Sequence, residues 1–302
     1  MSNWALELPL VGAGGEPVDL WRTINSHGLV ELPPMRIDQG ARALEVTLPL
    51  PGSRPRTVRV SEDEPGTGLV TALGPTPSSV VAEQILSAVR HVLRLDADLS
   101  GFYELAAADP DLSWAARGAG RMIRSTTVFE DVVKTICTTN CAWSATERMV
   151  GALVASLGEP ATGSDGRAFP TPNAMATAGE DFYRDVVRAG YRGRYLLELA
   201  AAVAEGRLGL EELGAAGLPE SELEKRLLAL PGVGPYAAAH IMMMLGRYSR
   251  LILDSWTRPK YARLNGGKPV KDAAIERRFR RYGPYAGLAF WLVLTRDWVE
   301  DG

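Results

Sequence analysis

The pattern of apolar and polar positions changes character near residue 95. Before it, ALEVTLPL (43–50) and RTVRVSE (56–62) alternate with the two-residue period of strands, and the intervening PGSRP is hairpin chemistry. WALELPL near the start and TGLVTALG (67–74) read as further strands. PSSVVAEQILSAVRHVLRL (77–95) switches to a helical period, with Ser78 or Ser79 as N-cap. Beyond residue 96, DLSGFYELAAADP, TTVFEDVVKTICTTNCAWSATERMVGALVASLG, GEDFYRDVVRAGYRGRYLLELAAAVAEG and PESELEKRLLALPGVG are amphipathic helical segments. Gly, Pro or Ser breaks separate them, and GSDGRAFPTP (163–172) reads as a loop. The expected fold is mainly α with an N-terminal α+β part. A small antiparallel β-sheet domain over 1–95 precedes an all-helical region over 96–302, and no internal repeat stands out.

Composition narrows the classes. With 302 residues, 46% apolar and 23% charged, the chain is an ordinary globular one with room for one large core or two modest ones. No apolar run reaches the roughly 18 residues of a membrane span. MSNWALELPL lacks the basic start and apolar centre of a secretion signal, so a cytoplasmic location is expected. Cys137 and Cys141 are too few for a disulfide framework or a thiolate metal site and read as small buried helix residues. His27, His91 and His240 are scattered with no metal-ligand spacing, so no bound metal is expected. A net charge of −3 argues against a nucleic-acid partner, but ten Lys or Arg stand against three acids between Arg250 and Arg281. Such a stretch is either a phosphate-attracting face or a solvated helix surface.

The stretch LPGVGPYAA (230–238) carries the sharpest local signal. Leu227, Leu228 and Leu230 close one helix, PGVG turns, and Pro235 suits the first turn of the next. The free amides and dipole of that second helix then make a phosphate site, or the turn is plain helix packing. Twenty-two residues after Gly232, Asp254 ends the apolar run Leu251-Ile252-Leu253. On its own it reads equally as a helix N-cap.

The hairpin over 227–240 followed at this interval by an aspartate resembles the helix-hairpin-helix/Gly-Pro-Asp DNA glycosylase superfamily. ICTTNCAWSAT (136–146) is similar to that family's gap-filling segment, with Asn140 at the plugging position. GPYAGLAFWLVLTRDW (283–298) resembles its last helix, and the β-containing start resembles its 3-methyladenine II and 8-oxoguanine branches. The resemblance covers the whole chain and is most specific over 227–258. It implies base excision from double-stranded DNA containing damaged bases, with Asp254 catalytic. Gly232, Val233, Gly234, Tyr236 and Asn140 would bind DNA. The base pocket would be walled by Trp143, Tyr236, Trp256, Tyr285, Phe290 and Leu294, with Trp291 a further aromatic beside it. Such an electron-rich pocket favours cationic alkylated purines. Phe290 and Leu294 stand where the 8-oxoguanine branch has glutamine and phenylalanine, which weighs against that alternative. Tyr236 stands where strand-cleaving members have lysine, implying a monofunctional enzyme that leaves an abasic site. A damage-binding protein without catalysis is the rival reading. The resemblance implies no required cofactor, a monovalent cation at the hairpin carbonyls, no membrane, no obligate protein partner, a monomer, and nucleoid association in a bacterium. Arg121 and Arg124 either contact the DNA backbone or cap and solvate.

Overall fold

The alternating segments pair into a five-stranded antiparallel sheet in the order β1-β5-β4-β3-β2, in a computed structural model that describes residues 4–300. The strands are β1 (Ala5–Pro9), β2 (Met35–Asp38), β3 (Ala43–Leu50), β4 (Ser53–Glu64) and β5 (Thr67–Ala72). Register places Leu44 opposite Val60 and Val60 opposite Val70, so one face is a continuous apolar surface. Helix α1 (Ser79–Val92) packs its buried Ile85, Val89 and Val92 into the same core, and Ser78 caps it by accepting from the Val81 amide. The short edge strand β2 was not anticipated, because four residues are too few to show alternation.

The remaining helices of eight or more residues are α2 (Ser100–Ala107), α3 (Val128–Thr138), α4 (Trp143–Leu157), α5 (Arg192–Ala204), α6 (Glu220–Leu228), α7 (Pro235–Met244), α8 (Thr257–Leu264), α9 (Asp272–Phe279) and α10 (Ala286–Thr295). Two expected single segments are broken. The first stops at Thr138 and resumes at Trp143, around Asn140 at φ +47°. The second is interrupted before α5, where Arg188 has φ +57°. The first break contains no Gly or Pro to announce it, whereas the second carries Gly190, also left-handed at φ +57°.

The helices enclose two apolar cores, and α7 lies between them. Ala237, Ala238, Ile241 and Met242 pack with α3 and α6, while Ala239 and Met243 pack with α10. A helix sandwiched in this way must be apolar all round, which is how PYAAAHIMMM reads. The N-terminal part interlocks with this body, since Leu29 and Leu32 belong to the α3/α7 core. Arg121 closes the seam: fully buried, it pairs with Glu16 and donates to the Arg94 and Ala97 carbonyls. Arg124 pairs with Asp96 and donates to the His91 carbonyl. Both arginines hold the fold together, and neither is presented to DNA.

Candidate active site

The hairpin between α6 and α7 shows two glycines doing different things. Gly232 has φ +77°, and a Cβ there would sit 2.8 Å from the Tyr195 ring. Both backbone and space therefore demand glycine. Gly234 is extended (φ −98°, ψ −175°), a conformation open to any residue, and a Cβ on it would meet nothing within 4 Å. Pro235 opens α7 as expected. Among the described residues, the amides of Gly232, Gly234 and Tyr236 find no hydrogen-bond partner, so the positive end of α7 has donors unfilled. Val233 differs: its side chain is buried and its amide donates to Leu230 O at 3.2 Å. The expectation that Val233 contacts DNA is corrected, because a closed turn needs that amide.

Asp254 turns out to cap and to face the site at once. Its Oδ1 accepts the amides of Trp256 (2.8 Å) and Thr257 (2.6 Å), and its own amide donates to Thr257 Oγ1 at 2.8 Å. This reciprocal box anchors the carboxylate on the buried Thr257 at the start of α8 and fixes its rotamer. Oδ2 makes no hydrogen bond among the described residues. The same residue lines a cavity of about 750 Å³.

Tyr236 and His240, one turn apart on α7, form the cavity wall beside Asp254, with ring centroids 4.5 Å apart. Burial raises the Tyr236 phenol, the Thr138 hydroxyl beside it acts the other way, and the Asp254 charge raises it further. Burial lowers His240 to about 4, against a smaller opposing pull from Asp254. Three tryptophans form another wall. Trp256 lies 5.7 Å from Trp291 and 5.6 Å from Trp298, and the last two are 5.9 Å apart. Trp291 is held by its Nε1–H donating to Ser26 O at 2.8 Å. Trp143 also lines the cavity and lies over Gly28, where an added Cβ would meet its ring at 3.5 Å, ordinary van der Waals contact. No Lys or Arg lines the cavity among the described residues, and Asp254 is its one carboxylate.

Several expectations change. Tyr285 packs on Phe102 at 5.6 Å, outside the cavity lining. Phe290 and Leu294 are fully buried in the α10 core, Phe290 against Phe279 and Tyr261. These three do not line the cavity: α10 turns Trp291 toward the site and Phe290 and Leu294 into the core, and Tyr285, just before α10, packs on Phe102. The argument against an 8-oxoguanine pocket drawn from Phe290 and Leu294 therefore falls. Conversely, Trp298 and the segment His27-Gly28-Leu29 line the cavity and were missed. His27 came from a region with no recognisable motif, and its position depends on contacts 96 residues away.

Asn140 is exposed at the tip of the α3–α4 turn, not inside a helix, and its amide donates to Tyr191 Oη at 3.3 Å. Tyr191 is 54% exposed and rests on the Arg192 guanidinium, 4.6 Å from its ring centroid. Cys137 is buried and its thiol is pushed up to about 12 by that burial, whereas Cys141 lies past the helix end and lines the cavity. Of the ten bases over 250–281, five are ion-paired: Arg250 with Glu224, Arg258 with Asp272, Lys260 with Asp297, Arg278 with Asp111 and Arg281 with Asp109. Most of these five side chains stay exposed, but each of the five charges is offset by an adjacent carboxylate. Among the described residues, no cluster of three His, Cys, Asp or Glu is arranged to hold a metal ion, and no helix is long and apolar enough to cross a membrane.

No protein-family model matches the chain. It is 26% identical over 224 residues to a DNA-3-methyladenine glycosylase of Bacillus subtilis, covering 70% of this chain and 73% of that protein. Two further curated relatives are matched over 52% and 40% of their length. Among solved structures it superposes on the 3-methyladenine DNA-glycosylase of Archaeoglobus fulgidus with a TM-score of 0.73 at 21% identity, covering 97% of this chain and 98% of that one. The 8-oxoguanine glycosylase/lyase of Clostridium acetobutylicum gives 0.72 at 18% identity over 97% of each chain.

Proposed function

The chain belongs to the helix-hairpin-helix/Gly-Pro-Asp DNA glycosylase superfamily, and on that premise we propose that it excises cationic alkylated purines from double-stranded DNA as a monofunctional enzyme. The observation that carries this reading is the cavity. Among the described residues it has four tryptophans and a tyrosine, one carboxylate, and no Lys or Arg. Aromatic faces attract a positively charged base, and a wall without Lys or Arg does not repel it.

The glycosidic bond is out of reach in a stacked duplex, so the nucleotide must leave the helix. The unfilled amides of Gly232, Gly234 and Tyr236 grip a backbone phosphate, a contact indifferent to sequence. Open space before Gly234 admits that phosphate to van der Waals range. Asn140, braced by Tyr191, fills the vacated position in the stack. As the base departs, positive charge grows on the sugar, and Asp254 stabilises it and orients the attacking water. A base that already carries positive charge leaves readily, and the chemistry asks for no cofactor.

Tyr236 occupies the place where a nucleophilic amine would act, and a phenol forms no Schiff base. Borohydride treatment of the enzyme with lesion DNA is expected to trap no covalent adduct, and a trapped adduct would refute the monofunctional assignment. The decisive measurement is release of free base from duplexes carrying 3-methyladenine, 8-oxoguanine or deaminated bases. Fastest release of the alkylated purine supports the proposal. Preferential release of 8-oxoguanine, toward which the fold is equally similar, overturns the substrate, and release of none overturns catalysis.

A further inference from the structure

His27 and His240 reach the same cavity from opposite parts of the chain, and each keeps a buried ring nitrogen without a partner: Nδ1 of His27 and Nε2 of His240. Buried polar atoms are nearly always paired, so two such atoms in one cavity wall need an explanation.

Hydrogen bonding assigns the His27 tautomer. Nε2 lies 2.7 Å from Ile123 O, and a carbonyl only accepts, so Nε2 bears the proton. In the neutral ring Nδ1 is then a bare acceptor. Burial holds His27 down to about 4, with the Ile123 carbonyl pulling up and His240, Lys134 and Arg94 pushing down. The ring is clamped on both sides: Ser26 Oγ accepts the Ile123 amide and Ser26 O accepts from Trp291. His240 is set between Tyr236 and Trp291, whose ring centroids are 4.5 and 6.1 Å away.

We propose that His27 Nδ1, with His240 beside it, is the hydrogen-bonding edge of the base pocket, and that it selects purines presenting an N–H donor, such as the exocyclic amine of an adenine. The inference rests on the glycosylase reading and adds a rule to it. Tryptophan faces admit any flat cationic base, and the acceptor at His27 sorts among them. Losing a needed hydrogen bond leaves a buried acceptor unsatisfied, which penalises a base whose amine is blocked.

The test uses the full chain in single-turnover release assays on duplexes containing 3-methyladenine, whose amine is free, or ethenoadenine, whose amine is built into a second ring. His27→Gln places an amide nitrogen near Nε2, keeping the bond to Ile123 O while deleting the Nδ1 acceptor. His27→Asn places an amide oxygen near Nδ1 instead. Wild type is expected to favour 3-methyladenine, whose positive charge already makes it the better leaving group, so the contribution of His27 is read from how each substitution changes the two rates. H27Q should lower the 3-methyladenine rate about tenfold with ethenoadenine unchanged within about twofold, and H27N should restore most of the loss. Equal losses in both variants, or wild-type rates in H27Q, would mean that His27 is only structural and overturn the inference. Wild type preferring ethenoadenine also overturns it while leaving the glycosylase reading intact. Release of no base at all sinks both.

Discussion

Two walls of one cavity were built in different ways. The wall formed by the hairpin, α7 and Asp254 comes from 25 consecutive residues, 230–254, and each part is fixed by its neighbours. Pro235 sets the start of α7, Gly232 supplies the left-handed turn, and Asp254 is held by the amides of Trp256 and Thr257. The facing wall, His27-Gly28-Leu29 with Trp291 and Trp298, is held by contacts spanning 96 to 265 residues. Local geometry can place a carboxylate and a row of amides, which are generic chemistry. The long-range wall is free to vary without disturbing that chemistry, so the proposed function assigns base preference to it.

The largest separation of the two walls should come from Asp254→Asn. Asparagine caps as well as aspartate, so melting should be unchanged, while single-turnover excision falls by roughly a thousandfold. Retained excision would remove Asp254 from the chemistry. Next comes Gly232→Ala, which forces a side chain into a left-handed residue facing Tyr195 and should cost about 2 kcal/mol in denaturant unfolding. A neutral result would show that the hairpin is looser than its geometry.

The long-range wall has its own signature. His27 is buried neutral, with its folded value near 4 and an unfolded value near 6.5. Between these limits the unfolded chain binds more protons, so stability is complete above pH 6.5 and declines as pH falls toward 4. The slope from this one group is ~1.4 kcal/mol per pH unit, and H27Q should flatten it in urea titrations. An unchanged slope would place the acid sensitivity elsewhere, with His240 and His91, both also held near 4, the next groups to replace. The smallest effect sharpens the comparison most. Gly234→Ala meets open space in an extended backbone, so folding should be untouched while affinity for any duplex drops a few-fold, about 1 kcal/mol. A melting change instead would mean that Gly234 serves the fold.

How much could be read in advance follows the same division. Four of the five strands, α1 with its cap at Ser78, the hairpin and Asp254 were all legible, because period, turn chemistry and spacing are local properties. The last helix was recognised but misread in phase. AGLAFWLVLT is apolar on every side, so nothing in it says whether Trp291 or Phe290 turns toward the cavity, and packing decides. His27 was invisible for the opposite reason. A single histidine beside glycine carries no pattern, and its role exists only once Ile123 and Ser26 have come together.

The tryptophan wall also makes the protein report on itself optically. Of seven tryptophans in the chain, Trp143, Trp256, Trp291 and Trp298 line the cavity, and three of these sit within 6 Å of one another. Indoles this close couple electronically, so the near-ultraviolet circular dichroism and emission of the whole molecule are dominated by one place. On the proposed function, a base entering the cavity against this cluster is expected to change that signal without any label, so stopped-flow optics would time its arrival separately from excision.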